Sequence, residues 1–593
     1  VRFLELVEAF EAMEATTKRL ELTSILKELF LKAPPELLDK IAYMSLGKLC
    51  PDYMGIEIGV AERLAMRAIA LSSGLGAQEV EALYKRLGDL GSAAAEALAN
   101  KKQATFLREP LTVQEVYETA LKMAKATGPG SVEGKIRLLA SLLNDAEPKE
   151  AKYILRMVTG KLRLGVADYT LLDAAAEAFA GGREKRPLLE RAYNITSDIG
   201  LVIKTLATQG LDAVTSFTLE VGRPVRPMLA ERLTSAEEVL QKIGAPVQAE
   251  YKLDGERIQV HKNGEEVELF SRRLENITMH YPDVVQLVRQ HLRARTAIAE
   301  GEAVAIDEAT GEFLPFQELM HRRRKYGIEE AMKAYPVALY LFDLLYYDGR
   351  DLTQEPLIER RRALEQLVTE HDMMRLVPCI MAERAEELEA WMARAIGEGC
   401  EGLVCKDPRS TYRAGAREFA WIKLKREYKL ELADTLDVVI VGAFHGRGKR
   451  AGRFGAYLCA VYDKQEDVFR SVCKVGTGFT DEDLAKFTEM VRPLVRQERS
   501  ARVDSKLEPD VWIEPRLVIE VAASEITLSP IHTAAVGRLR EGVGLALRFP
   551  KFTGRLRDDK APEDATTVEE LLEMYSRQKK KAAEERAEPA EAA

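Results

Sequence analysis

From Val1 to about Val221 apolar side chains recur at spacings of three and four, as in Leu4, Val7, Phe10 and Met13, and again through Val113 to Thr127 and Lys135 to Asn144. That period turns one stripe of each segment inward and predicts a region built from helices. The pattern changes around Gly222, Pro224 and Pro227. Short alternating runs follow, Arg257 to His261 and Val267 to Phe270, separated by Asn263-Gly264, a dipeptide suited to a tight hairpin turn. After Lys425 the runs Val438 to Phe444, Ala456 to Tyr462 and Leu517 to Ala522 alternate with glycine-rich turns, which predicts a small β-barrel. The expected division is 1–221, 222–426 and 427–593. The final stretch, Thr567 to Ala593, opens as a helix with Val568, Leu571, Leu572 and Tyr575 on one face and ends rich in Lys, Glu and Ala. No repeat of fixed period is visible, which argues against a solenoid.

At 593 residues the chain exceeds the ~250–300 at which single cores stop growing, which agrees with several domains. Its 46% hydrophobic and 31% charged composition is that of a soluble globular protein. No apolar run approaches the ~20 residues that cross a bilayer, and Val1 to Glu11 has no signal-peptide layout, so the expectation is a cytoplasmic protein with no membrane partner. The six cysteines, Cys50, Cys379, Cys400, Cys405, Cys459 and Cys473, form none of the paired Cys-x-x-Cys sets that structural zinc needs and read as buried thiols. A net charge of -9 argues against non-specific coating of nucleic acid but leaves local basic surfaces open.

The chemistry centres on Glu250-Tyr251-Lys252-Leu253-Asp254-Gly255-Glu256-Arg257, a Lys-x-Asp-Gly-x-Arg pattern at the start of a strand. The four-position Lys-x-Asp-Gly stretch alone matches by chance in roughly one chain in six of this length, and a polar turn would account for it. Five further elements follow in order: Ser271-Arg272-Arg273, Glu300-Gly301-Glu302, Tyr340-Leu341-Phe342-Asp343, Glu401-Gly402-Leu403-Val404-Cys405-Lys406 and Trp421-Ile422-Lys423-Leu424-Lys425. Arg548-Phe549-Pro550-Lys551-Phe552, running to Arg557-Asp558-Asp559-Lys560, closes the series.

These residue types suit attack on a phosphate. A lysine amine must be neutral to attack phosphorus, yet with a reference pKa near ~10.4 few molecules are so at neutral pH. Arg272, Lys423 and Lys425 are expected to raise the positive potential around Lys252 and to hold a triphosphate. Expelling pyrophosphate builds negative charge that a divalent cation neutralises, and Glu302, Glu401 and Asp254 are the oxygen ligands expected for it. The glycines beside Glu302 and Glu401 are expected to let backbone and substrate approach closely. Phe342 offers a flat face for a base.

In order and spacing the six elements resemble the nucleotidyltransferase motifs shared by ATP-dependent DNA ligases, RNA ligases and mRNA capping enzymes, and nearly the whole chain is similar to archaeal replicative DNA ligases. The resemblance implies an all-helical DNA-binding domain, an α+β adenylation domain and a C-terminal oligonucleotide-binding (OB) barrel with a terminal helix. It implies ATP as cofactor with AMP carried on Lys252, and Mg²⁺ as metal with Mn²⁺ as a substitute. It implies nicked double-stranded DNA as substrate, joined in three steps by a monomer. Glu250, Arg257, Arg417 and the ribose contact of Glu302 are implied nucleotide contacts, with Arg557 and Lys560 reaching the β- and γ-phosphates when the barrel closes about a hinge near Lys425 to Leu432. Gly160-Lys161-Leu162-Arg163-Leu164-Gly165-Val166 and Gly181-Gly182-Arg183-Glu184-Lys185-Arg186 resemble the helical DNA-binding domain, which makes Lys161 and Arg163 phosphate contacts. Gln103-Ala104-Thr105-Phe106-Leu107 looks like the sliding-clamp motif, with Gln103, Phe106 and Leu107 as contacts to a ring-shaped clamp. An RNA ligase or capping enzyme shares the lysine motif but is disfavoured by the long helical region. A clamp-binding scaffold that has lost catalysis is disfavoured by the presence of Lys252, Glu302, Glu401 and Lys423.

Overall fold

The computed structural model describes residues 1–101, 109–307, 311, 313–314, 316–425, 435–446, 450–523, 525–548 and 550–587. They form two compact units. One comprises Val1–Tyr193, Asp198–Phe217 and Glu489–Arg502; the other comprises Asn194–Ser197, Thr218–Thr488 and Val503–Ala593. No helix among the described residues is long and apolar enough to cross a membrane. All six cysteines are free; five are buried and Cys379 is partly exposed.

The first unit is helical, as the three-and-four spacing predicts. Phe3, Leu6, Val7, Phe10 and Met13 are the buried stripe of the helix Phe3–Glu14, and they join a continuous core with residues such as Leu26, Leu139, Ile154 and Val202. Helix starts are capped where the sequence provides an acceptor. Thr112 and Glu115 exchange hydrogen bonds in a capping box at Val113–Lys125, and Asp89 caps Leu90–Ala99. Ala501, from the segment after Thr488, packs against the same core.

The second unit contains two sheets and a barrel. Strands β1 (Leu229–Leu233), β2 (Val247–Lys252), β3 (Glu256–Asn263), β4 (Glu266–Ser271), β5 (Thr296–Ala305), β6 (Val337–Tyr347), β7 (Cys379–Ala382), β8 (Gly402–Lys406) and β9 (Arg417–Lys425) precede the barrel. One sheet has the order β1-β9-β8-β2-β7, the other β4-β3-β5-β6. The Asn263-Gly264 turn joins β3 to β4 as read from the sequence, with Asn263 paired to Glu266 and Gly264 at φ +61°. In the first sheet Ala249, Tyr251, Leu403, Cys405, Ile422 and Leu424 point into an apolar core. The helices Ala236–Ile243 and Ala385–Gly397 pack against that sheet, and Trp391 Nε1 donates to the Ala249 carbonyl at 3.1 Å. Alternation then leaves Gln248, Glu250 and Lys252 on the opposite face.

The barrel holds β10 (Leu436–His445), β11 (Phe454–Asp463), β12 (Val468–Val475), β13 (Val518–Ala522) and β14 (Lys551–Leu556). Strand β10 pairs with β11 and β13, β11 with β12, and β13 with β14. The terminal helix, Val568–Ala587, buries Val568, Leu571, Met574 and Tyr575. The expected classes are therefore present: helices first, α+β sheets next, a small barrel last.

A buried polar network ties the segment leading into β1 onto β3. Gln259 accepts the Val225 N–H at 2.7 Å and donates back to the Val225 carbonyl at 2.9 Å. His261 Nδ1 accepts the Gly222 N–H at 2.9 Å. The proton must therefore sit on Nε2, which lies 2.8 Å from Gln259 Oε1. Burial pushes the imidazole down to about 3. The folded protein thus binds fewer protons here than the unfolded chain between pH 6.5 and 3, so this stabilisation is complete above 6.5 and is lost as pH falls to 3. His261→Gln should melt ~2–4 °C below the wild type at pH 7.5, with the gap closing by pH 4. A gap independent of pH, measured by calorimetry, would contradict this account.

Candidate active site

Strand register assembles the site. Lys252 on β2 stands opposite Gly402 on β8, which stands opposite Lys425 on β9; two residues along, Glu250, Val404 and Lys423 are abreast, and next Gln248, Lys406 and Trp421. Because side chains two apart share a face, these rows project from the opposite face, where Trp421 is buried against Phe342 and Tyr412. In the second sheet Arg257 on β3 faces Glu302 on β5, and Glu302 faces Tyr340 beside Phe342 on β6. A cleft lined by both sheets and by the barrel collects Glu250, Lys252, Asp254, Arg257, Arg272, Glu302, Phe342, Glu401, Lys423, Lys425, Arg557 and Lys560. Ten basic and seven acidic side chains line it, an excess of positive charge that suits a polyphosphate.

The glycines meet the backbone part of the expectation. A Cβ at Gly402 would stand 2.2 Å from the Leu424 carbonyl, and one at Gly301 would stand 2.7 Å from the Tyr340 carbonyl. Both positions are bare where neighbouring strands approach closely.

The immediate partner of Lys252 also differs. The cations named from sequence do line the cleft, but the Lys252 amine is hydrogen-bonded to Glu401. Lys425 lies 3.5 Å from the same carboxylate. Burial opposes ionisation of Glu401, yet Lys252, Lys425 and Arg555 together hold it well below the usual carboxylate range. Asp254 is raised by burial and by the nearby Glu401. Burial pushes Glu302 up to about 8 against the pull of Lys252 and Arg257. Burial, then Lys560, drives Lys423 well below the ordinary lysine value. Lys560 falls to about 7 through burial and the adjacent Arg557.

Other side chains are fixed from behind. Glu250 accepts from Gln248 at 2.9 Å and pairs with the buried Lys406 at 2.6 Å. Lys406 Nζ lies 4.4 Å from the Phe342 ring centroid and 4.0 Å from that of Trp421. Arg257 donates to Glu300 at 2.9 Å and to the Met228 carbonyl at 2.7 Å. Beside Phe342, the fully buried Asp343 is gripped by Arg360 through two bonds of 2.8 and 3.0 Å. Arg272 faces Asp564 at 3.4 Å. Arg557 and Lys560 both turn onto Asp437 of β10, Arg557 at 3.3 Å. The sequence reading missed Arg555, Lys406 and Asp437. Lys406 stands inside a quoted motif, and Arg555 shares with Arg557 the two-residue spacing of a strand face.

The family model for the ATP dependent DNA ligase domain matches residues 227–425, that for the DNA ligase N terminus matches 2–176, and that for the ATP dependent DNA ligase C terminal region matches 450–560. The chain is 54% identical over 588 residues to DNA ligase 2 of Thermofilum pendens, covering 97% of this chain and 98% of that one. It is 53% identical over 580 residues to a DNA ligase of Cenarchaeum symbiosum, 98% of each chain. A Pyrobaculum calidifontis DNA ligase is 53% identical over 585 residues, covering 98% of this chain and 99% of that one. The chain belongs to the ATP-dependent DNA ligases. It is accordingly an enzyme that joins DNA strands using ATP and a divalent metal.

Not every named residue of the ligase reaches the cleft. Arg417 lies outside its lining. It is 5% exposed and pairs with Glu570 of the terminal helix at 2.7 Å, with a further bond to the Asp564 carbonyl at 3.2 Å. These contacts tie β9 to the terminal helix. In the helical unit, Lys161 is partly exposed and paired with Glu62, and Arg163 donates to the Leu162 carbonyl at 2.8 Å. A stronger basic cluster surrounds the buried Asp173, with Arg19 at 2.9 Å, Arg183 at 3.2 Å and Arg186 at 3.6 Å. Gln103, Phe106 and Leu107 lie outside the described residues, as does the expected hinge beyond Lys425.

Removing one partner of a buried ion pair leaves the other uncompensated, at a cost of about 3 kcal/mol or more. Arg417→Ala should therefore lower the melting midpoint by several degrees while ATP affinity stays within about threefold. A tenfold loss of ATP affinity at an unchanged midpoint would return Arg417 to the nucleotide.

Proposed function

We propose that this ligase seals nicks in duplex DNA through an AMP adduct on Lys252. The observation that carries the reading is the Lys252–Glu401 pair, set by register in a cation-rich cleft. A lysine amine attacks only once it has given up its proton, so the hydrogen bond to Glu401 must open and that proton pass to solvent before the amine reaches the α-phosphorus of ATP. Attack forms the N–P bond and breaks the bond to pyrophosphate. The adenylyl group then passes to the 5′-phosphate at the nick, and the 3′-hydroxyl displaces AMP to close the strand.

Glu401, Asp254 and Glu302 are the oxygen donors that would hold a hard cation such as Mg²⁺, with Mn²⁺ as a substitute. Among the described residues no three carboxylate, histidine or cysteine side chains are grouped so as to hold a metal ion by themselves. Substrate oxygens would have to complete the shell, which is how Mg²⁺ is usually held. When bound, the metal supplies charge neutralisation at the phosphates.

The chain's own groups do the rest. Glu250, fixed by Gln248 and Lys406, offers an acceptor at one wall of the cleft, and Phe342 offers a face for adenine. Lys423, Lys425 and Arg272 hold phosphate oxygens, and Arg557 with Lys560 orient the leaving pyrophosphate. The basic side chains of the helical unit, Lys161 and Arg163 among them, grip the DNA backbone without sequence choice. The sequence Gln103-Ala104-Thr105-Phe106-Leu107 supports a further partner, a ring-shaped sliding clamp.

Incubation with labelled ATP, GTP or NAD followed by a denaturing gel should mark the wild type with ATP alone. Lys252→Arg should be as unlabelled as Lys252→Ala, because a guanidinium keeps its proton. Near wild-type labelling of the arginine variant would exclude Lys252 as the attacking group. For the clamp, Phe106→Ala with Leu107→Ala should weaken binding at least tenfold by calorimetry while clamp-free sealing persists. Unchanged clamp affinity would remove this partner site.

A further inference from the structure

The barrel brings into the cleft a cation that no motif singles out. Arg555, on β14, spans two carboxylates with its guanidinium fork: Nη1 lies 3.2 Å from Glu401 Oε1 and Nη2 lies 3.0 Å from Asp254 Oδ1. Its side chain is 15% exposed, and its guanidinium carbon lies 5.0 Å from the Phe316 ring centroid. The remaining oxygens are also engaged. Asp254 Oδ2 accepts the Phe316 N–H at 3.1 Å, and Glu401 Oε2 takes Lys252 and, at 3.5 Å, Lys425.

Two carboxylates this close repel unless a cation lies between them. A guanidinium meets that need with planar hydrogen bonds; a divalent ion meets it by direct coordination of the same oxygens. Both cannot use the same lone pairs. We propose that Arg555 is the resident cation of the Asp254–Glu401 pair, so that a divalent ion binds there only by displacing it. The proposal rests on the reading that these two carboxylates hold the metal.

Competition of this kind is reciprocal: whatever withdraws Arg555 strengthens metal binding by the factor by which metal weakens the arginine contact. Arg555 belongs to the barrel, and Asp254 and Glu401 to the turns that lead into β3 and β8. Metal loading and the barrel arginine's seat are therefore two readings of one equilibrium. An ion that engages Glu401 also competes with Lys252 for that carboxylate, which links the same exchange to release of the amine.

The test is Mn²⁺ binding to the full-length protein without nucleotide, followed by loss of the free-ion paramagnetic resonance signal. Arg555→Gln should bind Mn²⁺ about tenfold tighter than wild type. Arg555→Met, which keeps an apolar stem against Phe316, should tighten binding equally. Arg555→Lys, which retains the charge, should stay within about threefold of wild type. Glu401→Gln should weaken binding at least tenfold. Should Glu401→Gln weaken binding while neither neutral Arg555 variant tightens it, the metal reading stands and the competition is overturned. Should Glu401→Gln leave binding unchanged, the metal reading fails and the competition with it.

Discussion

The pairing of Lys252 with Glu401 depends on a register between strands distant in sequence, and much of the cleft follows from that register. Once β8 sits between β2 and β9, Lys252, Gly402 and Lys425 fall on one line, and Glu250 and Lys423 on the next. A one-residue slip of β8 or β9 would turn these side chains into the apolar core and bring Leu403 or Leu424 to the cleft. The bare position at 402 permits this register, because a Cβ there would stand 2.2 Å from the Leu424 carbonyl. Catalytic placement and sheet packing are thus one constraint.

Charge is the second organising quantity. Acidic and basic groups in the cleft are neutralised largely by one another: Glu401 by three cations, Asp437 by Arg557 and Lys560, Glu250 by Lys406. Such pairs contribute modestly to stability, since burying each charge offsets much of the attraction. They set instead what an incoming polyanion or cation must exchange. On the proposed reading, a triphosphate would take over cations now shared with Asp437, and a metal would take over carboxylate oxygens now shared with Arg555.

Periodicity in the sequence made the three kinds of architecture legible, and the Asn263-Gly264 turn gave a hairpin at the right residues. Motif order made the lining of the cleft legible too, because each motif is a strand end or turn whose neighbours are fixed by local spacing. Pairing across the fold was not legible. Nothing in Arg417 and its neighbours reveals that Glu570, 153 residues away, takes its guanidinium. Nor does the Lys-x-Asp-Gly pattern say that a carboxylate, and not a cation, meets the lysine. Contacts between distant segments depend on tertiary register, which no local pattern encodes. Arg555 was passed over for the same reason: its meaning lies in Asp254, 301 residues earlier.

The segment Glu489–Arg502 groups by contact with the helical unit, and its Ala501 packs on that core, although its strand Val495–Arg496 is hydrogen-bonded into the barrel sheet. Exchange of modules between related genes meets an obstacle in such a shared piece. A graft of residues 1–217 alone separates the unit from a stretch selected to fit it, so recombinants that carry both pieces from one parent are the ones that keep a matched core.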